Sequence, residues 1–101
     1  WSATTGSIEN YVDVNDSNRQ ITLSNALRWS PGDITNLNGA SSTGVSAGTD
    51  DQYLNATRNL MVATASNGLG AYRIDNTLLN FTQQPSYAAG NYSATLTLTV
   101  T

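Results

Sequence analysis

The chain predicts an all-β fold of packed antiparallel sheets on three observations: one stretch of ten residues alternates strictly between apolar and polar, turn-forming residues recur between short apolar runs, and no stretch carries the periodicity of a long helix. Its 101 residues suit one domain, residues 1–101, with a two-layer core and no room for a second. Thr, Val, Ile and Tyr fit a half-buried pleated surface, while Asn, Gly, Asp and Ser supply the turns.

Ile8, Val12 and Val14 share a face if the backbone is extended, with Glu9 and Asp13 interrupting them, so a partly exposed strand is predicted from Ile8 to Val14. Asn15 to Asn18 (NDSN) is turn chemistry, because short polar side chains bond their own backbone. Arg19 to Ser24 alternates again, Ile21 and Leu23 against Gln20, Thr22 and Ser24, and is expected to form a hairpin with the first strand. Leu27 and Trp29 share a face. Ser30-Pro31-Gly32-Asp33 stops that segment, since Pro31 holds Ser30 extended and has no N–H for a ladder. Ile34 and Leu37 are expected to cover one end of the core. Residues 38–51, NGASSTGVSAGTDD, have little apolar mass beyond Val45 and read as a long loop or two short edge strands.

From Asn59 to Thr64, Leu60, Val62 and Thr64 lie on one face and Met61 and Ala63 on the other, the pattern of an inner strand covered on both sides. Ser66-Asn67-Gly68 turns the chain, Tyr72 and Ile74 are in phase within residues 71–74, and Leu78, Leu79 and Phe81 supply the next apolar mass. Ala88-Ala89-Gly90-Asn91 leads into the ten-residue signal. There Tyr92, Ala94, Leu96, Leu98 and Val100 oppose Ser93, Thr95, Thr97, Thr99 and Thr101. A strand from Tyr92 to Thr101 with one buried face would remove on the order of 150 to 250 Å² of apolar surface from water, worth roughly 4 to 6 kcal/mol before entropy. The turn spacing gives about seven or eight strands, expected as an immunoglobulin-like antiparallel β-sandwich, with a small closed barrel as the alternative.

The formal net charge is −3, with Arg19, Arg28, Arg58 and Arg73 spread along the chain and no Lys. Such a surface cannot neutralise a row of phosphates, so nucleic acid and anionic membranes are poor partners. No run approaches the roughly 20 apolar residues that span a bilayer. Cys and His are both absent, which removes disulfides, thiol catalysis, Cys or His metal sites and His-dependent triads. Without His or Lys the many hydroxyls have no ordinary activating base and read as strand surface. Glu9, Asp13, Asp33 and Asp75 do not form the cleft that paired-carboxylate chemistry needs, so no catalytic residue is expected.

Asp13, Asn15, Asp16 and Ser17 make an oxygen-rich cluster without the Gly and Glu spacing of an EF-hand, and Asp50-Asp51 lacks a second ligand group. Both read as solvated turns; neither metal nor cofactor is expected. Four Asn-glycosylation triplets begin at Asn15, Asn55, Asn80 and Asn91, about the number that twelve Asn in a chain one-quarter Ser plus Thr give by chance. Asn55 and Asn91 are the better acceptors, because their surroundings read as exposed. Trp29 and Tyr72 read as core aromatics. Trp1 has little local apolar context, which leaves docking into another subunit, packing back on its own domain, or a processing boundary.

The tail from Pro85 to Thr101, PSYAAGNYSATLTLTVT, resembles the closing strand of bacterial surface sandwiches: the Pro, Gly-x-Tyr, alternating Leu/Val ending of spore-coat-U-like subunits of archaic chaperone-usher pili, and the end of WxL cell-wall-binding domains. The chain departs from the pilus subunits in having no Cys pair. It departs from the wall-binding family in having no pair of Trp-x-Leu motifs, Trp29 being followed by Ser30 and Pro31. What the pilus resemblance implies is a sandwich completed by a strand from a neighbour, with the long loops and Trp1 at the joint. Strand addition satisfies an exposed sheet edge, and alternating side chains set its register.

The expectation is therefore a structural or adhesive domain of an extracellular or cell-surface protein, a pilus or fibre subunit joined to like subunits or other surface proteins by strand pairing. The Thr- and Asn-rich, Lys-free composition points outward. Trp1, Tyr92, Leu96, Leu98 and Val100 are the expected assembly residues. A module that binds cell-surface carbohydrate or cell wall is the alternative; its mark would be a concave aromatic surface joined to convergent amides or carboxylates.

Overall fold

The computed structural model describes residues 1–23, 26–84 and 86–101; among them there is no helix, and the chain is all-β, divided into several antiparallel sheets. Ser24, the predicted end of the second strand, and Pro85, the first residue of the tail resemblance, lie outside the described residues. In chain order the strands are β1 (Ser2–Thr5), β2 (Asn10–Asp13), β3 (Asp16–Thr22), β4 (Leu27–Ser30), β5 (Asp33–Leu37), β6 (Val45–Ala47), β7 (Gln52–Tyr53), β8 (Arg58–Ala63), β9 (Ala71–Asp75), β10 (Leu78–Phe81), β11 (Tyr92–Ser93) and β12 (Leu98–Val100). They form sheets in the orders β12-β1-β8-β6, β10-β4-β7, β11-β2-β3 and β5-β9.

Period-two side-chain placement puts the core where the sequence has its densest apolar pairs. Leu27 and Trp29 of β4 are each 2 % exposed, with β10 on one side of the strand and β7 on the other. Leu23 and Leu54 are fully buried against them, and Ile8, Ile21 and Ala26 complete the cluster. Backbone bonds stitch the cluster across the sheets: Leu54 N–H donates to the Leu27 carbonyl at 3.1 Å, Ile8 N–H to Leu54 at 2.8 Å, and Leu23 N–H to Glu9 at 2.8 Å.

The molecule is a thin rod, 49 × 21 × 20 Å, with a radius of gyration of 16.3 Å where roughly 13 Å is usual for this length. Its accessible surface is 6288 Å² against roughly 5500 Å² for an ordinary monomer of its mass. Two sheets pack about 10 Å apart, so a rod this narrow holds only one layer of interior side chains. Apolar residues are consequently left on its sides, among them Leu78, Leu79, Leu98 and Val100.

Several expectations are realised. The two strands predicted from Ile8 to Val14 and from Arg19 to Ser24 form a hairpin, β2 against β3, and β1 precedes them. β8 is an inner strand between β1 and β6, with Met61 and Ala63 buried and Leu60 and Val62 half-buried. Residues 38–51, expected as a long loop or two short edge strands, contain one short edge strand, β6.

Others are corrected. The hairpin turn is Val14-Asn15, and Asp16 to Asn18 already belong to β3, because the Asp13 carboxylate accepts the Asn15 N–H at 2.8 Å and closes the turn before Asp16. Val14 is thereby thrown to the surface, 61 % exposed. Among the described residues there are twelve strands where seven or eight were expected, because several are only two or three residues long before the chain turns, β6, β7, β11 and β12 among them. The ten-residue tail strand is two: β11 pairs with β2, β12 pairs with β1, and the chain changes sheet between them. Its apolar face is not buried as a unit. Tyr92 and Leu96 pack on the core cluster, whereas Ala94 is exposed and Leu98 and Val100 are 56 % and 73 % exposed. The stabilisation expected of a wholly buried tail therefore resides in β4 and its neighbours. Trp29→Ala is expected to cost about 3 to 5 kcal/mol, and Leu98→Ala about 1 kcal/mol or less, read as urea midpoints at constant slope; equal losses would return the core to the tail.

Candidate functional site

β12 is the last strand of its sheet. Its register, Ala3 opposite Val100 and Thr5 opposite Leu98, together with the paired bonds between Ser2 and Thr101 at 2.9 Å in both directions, fixes which backbone groups face β1. In an antiparallel ladder these alternate, so the N–H and C=O of Leu98 and Val100 point away from β1 along the free edge. The same two residues carry the exposed apolar side chains. Both lie on the face that holds the buried Ala3 and Thr5.

That face continues into an open groove of about 660 Å³ between the β12-β1-β8 side of the four-stranded sheet and β9, floored by Ala3 and Met61 and walled by Trp1, Tyr72, Ile74 and Val100. Among the described residues β9 pairs only with β5, so a second sheet edge borders the groove. Trp1 packs back on its own domain. Its carbonyl accepts the Ala63 N–H at 2.9 Å, its indole N–H donates to the Gly68 carbonyl at 2.8 Å, and its ring meets Tyr72 at 5.9 Å between centroids. It remains 40 % exposed. Gly68 makes this seat: its φ is +73°, and a Cβ there would collide with the Ala63 methyl and stand 2.6 Å from the Trp1 indole nitrogen. Tyr72, read from sequence as a core aromatic, is half-exposed in the groove wall and donates its hydroxyl to the Ser41 carbonyl at 2.7 Å.

Of the five expected assembly residues, Trp1 and Val100 thus meet at the groove and Leu98 extends the β12 edge, whereas Tyr92 and Leu96 pack on the core cluster. Sequence reasoning missed Ala3, Met61 and Ile74. The in-phase pair Tyr72 and Ile74 was visible, but its partner sheet was not.

The glycosylation candidates are both exposed: Asn55 accepts a hydrogen bond from the Arg58 guanidinium at 3.2 Å, and the Asn91 carbonyl accepts the Val14 N–H at 2.8 Å. The oxygen-rich turn is only partly solvated. Asp13 is 5 % exposed and faces the Arg19 guanidinium at 3.4 Å, while Asp16 accepts the Asn18 N–H at 3.0 Å. Among the described residues no three acids gather as a metal site. Asp51 is engaged by Arg28 at 2.9 Å; that bond and another to the Tyr53 hydroxyl hold the guanidinium above its ordinary pKa.

On the groove strand β9, hydrogen bonds from Arg73 at 3.0 Å and from the Thr35 hydroxyl at 3.0 Å hold the Asp75 carboxyl below its ordinary value. A carboxylate depressed in the folded state contributes stability above its unfolded pKa and loses it as pH falls through the folded one. Stability should therefore decline on acidification below about 3.8, the ordinary value of this group, and Asp75→Asn should flatten that decline in a melting series; an unchanged acid limb would remove Asp75 as a contributor. Gly68→Ala should unseat Trp1, read as a red shift of tryptophan emission with Trp29 as the unchanged buried reference, and an unshifted spectrum would show the seat tolerates a methyl. Comparison of the chain with protein-family models, with curated proteins and with solved structures finds no match.

Proposed function

We propose that this chain is a structural or adhesive domain of an extracellular or cell-surface protein, an immunoglobulin-like β-sandwich that joins like subunits into a pilus or fibre by strand pairing along β12. The observation that carries the reading is the coincidence at one edge of outward backbone groups and exposed apolar side chains, both supplied by Leu98 and Val100, beside an apolar groove. An added strand would satisfy the backbone groups and seat alternate side chains in the groove. Covering Leu98 and Val100 contributes about 1 to 2 kcal/mol each, with net backbone bonds of about 0.5 to 1.5 kcal/mol apiece.

Three further features support the reading. The elongated body suits end-to-end stacking. Thr95, Thr97 and Thr99 keep the rest of the tail wettable. The Lys-free, Thr- and Asn-rich composition accords with a surface location.

Light scattering across concentration, before and after denaturation and refolding, tests the proposal: masses above the monomer that re-form are expected. Val100→Pro removes one outward N–H and leaves the bonds to β1 intact, so it should return the protein to monomer with little change in melting temperature. A monomer at every concentration, or assemblies indifferent to Val100→Pro, would overturn strand pairing at this edge.

A further inference from the structure

A second concavity, of about 320 Å³, shares no lining residue with the β12 groove. Phe81 at the end of β10 and Tyr87 in the following loop form one side; Ile21, Tyr92 and the Ala88 to Gly90 loop form the rest, with the exposed Gln83 at the rim. The Phe81 and Tyr87 rings are near parallel, 17° apart at 6.0 Å, and Tyr11 meets Phe81 edge-on at 5.4 Å. Tyr11 and Tyr87 in turn pack on the core cluster, so the aromatic wall is anchored, while Phe81 is 37 % exposed.

The opposite wall is fixed from beneath. Arg19 donates to the Ala89 carbonyl at 3.3 Å while facing the buried Asp13, and the Tyr92 hydroxyl donates to the Ala88 carbonyl at 2.9 Å. Gly90 lies directly on Asp13: a Cβ at that position would stand 2.5 Å from the carboxylate. The buried Asp13 and the half-exposed Arg19 thus hold the loop, and among the described residues no ionised side chain belongs to the lining itself.

The lining selects among ligands. An anion finds no Arg in the lining, and the Arg19 guanidinium beside it is already taken by Asp13 and the Ala89 carbonyl; a cation finds the Asp13 carboxylate buried beneath Gly90. A wholly apolar ligand would cover the rings but make no hydrogen bond with the Gln83 amide at the rim. A pyranose meets both requirements, since its axial C–H face lies on an aromatic ring and its hydroxyl edge both donates to and accepts from an amide. The volume lies at the lower end for small-molecule sites, fitting one or two sugar rings.

We propose that this pocket binds a neutral saccharide, with Phe81 and Tyr87 as the stacking surface and Gln83 as the hydroxyl-reading group. Titration of the ¹⁵N-labelled chain with cellobiose, mannobiose and di-N-acetylchitobiose, and separately with toluene, tests it. Saturable millimolar binding of at least one disaccharide is expected, with shifts confined to residues 81–92 and their neighbours on β2 and β3. Phe81→Ala should weaken it about tenfold or more. Gln83→Ala, an exposed change that leaves the packing intact, should weaken it as well and keeps the test valid if Phe81→Ala does not fold. No saturable shift with any of the three sugars, binding indifferent to Gln83→Ala, or tighter binding of toluene at the same residues would overturn the assignment.

Discussion

The burial of Leu27 and Trp29 on β4 is the constraint on which the other elements depend. β4 is the middle strand of its sheet, so its two flanks fix the positions of β10 and β7, and its apolar face gathers Ile8, Ile21, Leu23 and Leu54 from segments that belong to no common sheet. Among the described residues the buried Trp29 indole N–H has no hydrogen-bond partner. An orphaned donor of this kind costs about 1 to 3 kcal/mol, which the contact area of a fully enclosed indole offsets. The core thus favours filling the thin rod with one large side chain over satisfying that side chain's only polar atom.

A rod with one layer of interior residues cannot cover every sheet edge. β12, β9 and β10 each end a sheet, and each carries apolar residues beside its free backbone groups. Proteins that remain solitary usually blunt such edges with Lys, Pro or inward charges. This chain has no Lys at all, and its two prolines, Pro31 and Pro85, lie in neither β9, β10 nor β12. The ion pair of Arg73 with Asp75 marks one side of the groove, leaving the β12 side unprotected.

The two concavities are built on different physics. The β12 groove is open, apolar and bordered by backbone edges, which suits an extended polypeptide. The Phe81 pocket is smaller, is walled by anchored rings, and has a loop held by Asp13 and Arg19, which suits a compact neutral ligand. The two linings share no residue, so a change in one leaves the other's side chains in place.

By itself the sequence determined the all-β class, the hairpin of β2 and β3, the inner position of β8 and the burial of Leu27 and Trp29, because each follows from local alternation and turn chemistry within one or two segments. It misjudged the tail: perfect alternation from Tyr92 to Thr101 states only that one face is apolar, and cannot state that the chain will leave β2 for β1 midway, with Leu96 reaching the core and Val100 reaching solvent. Tertiary structure alone decided that Tyr72 and Ile74 would face Ala3 and Met61 across a groove, that Asp13 would be buried beneath Gly90, and that Phe81 would stack on Tyr87. Those contacts join residues far apart in the chain, and a period-two pattern fixes the side of a strand on which a residue lies without fixing what stands opposite.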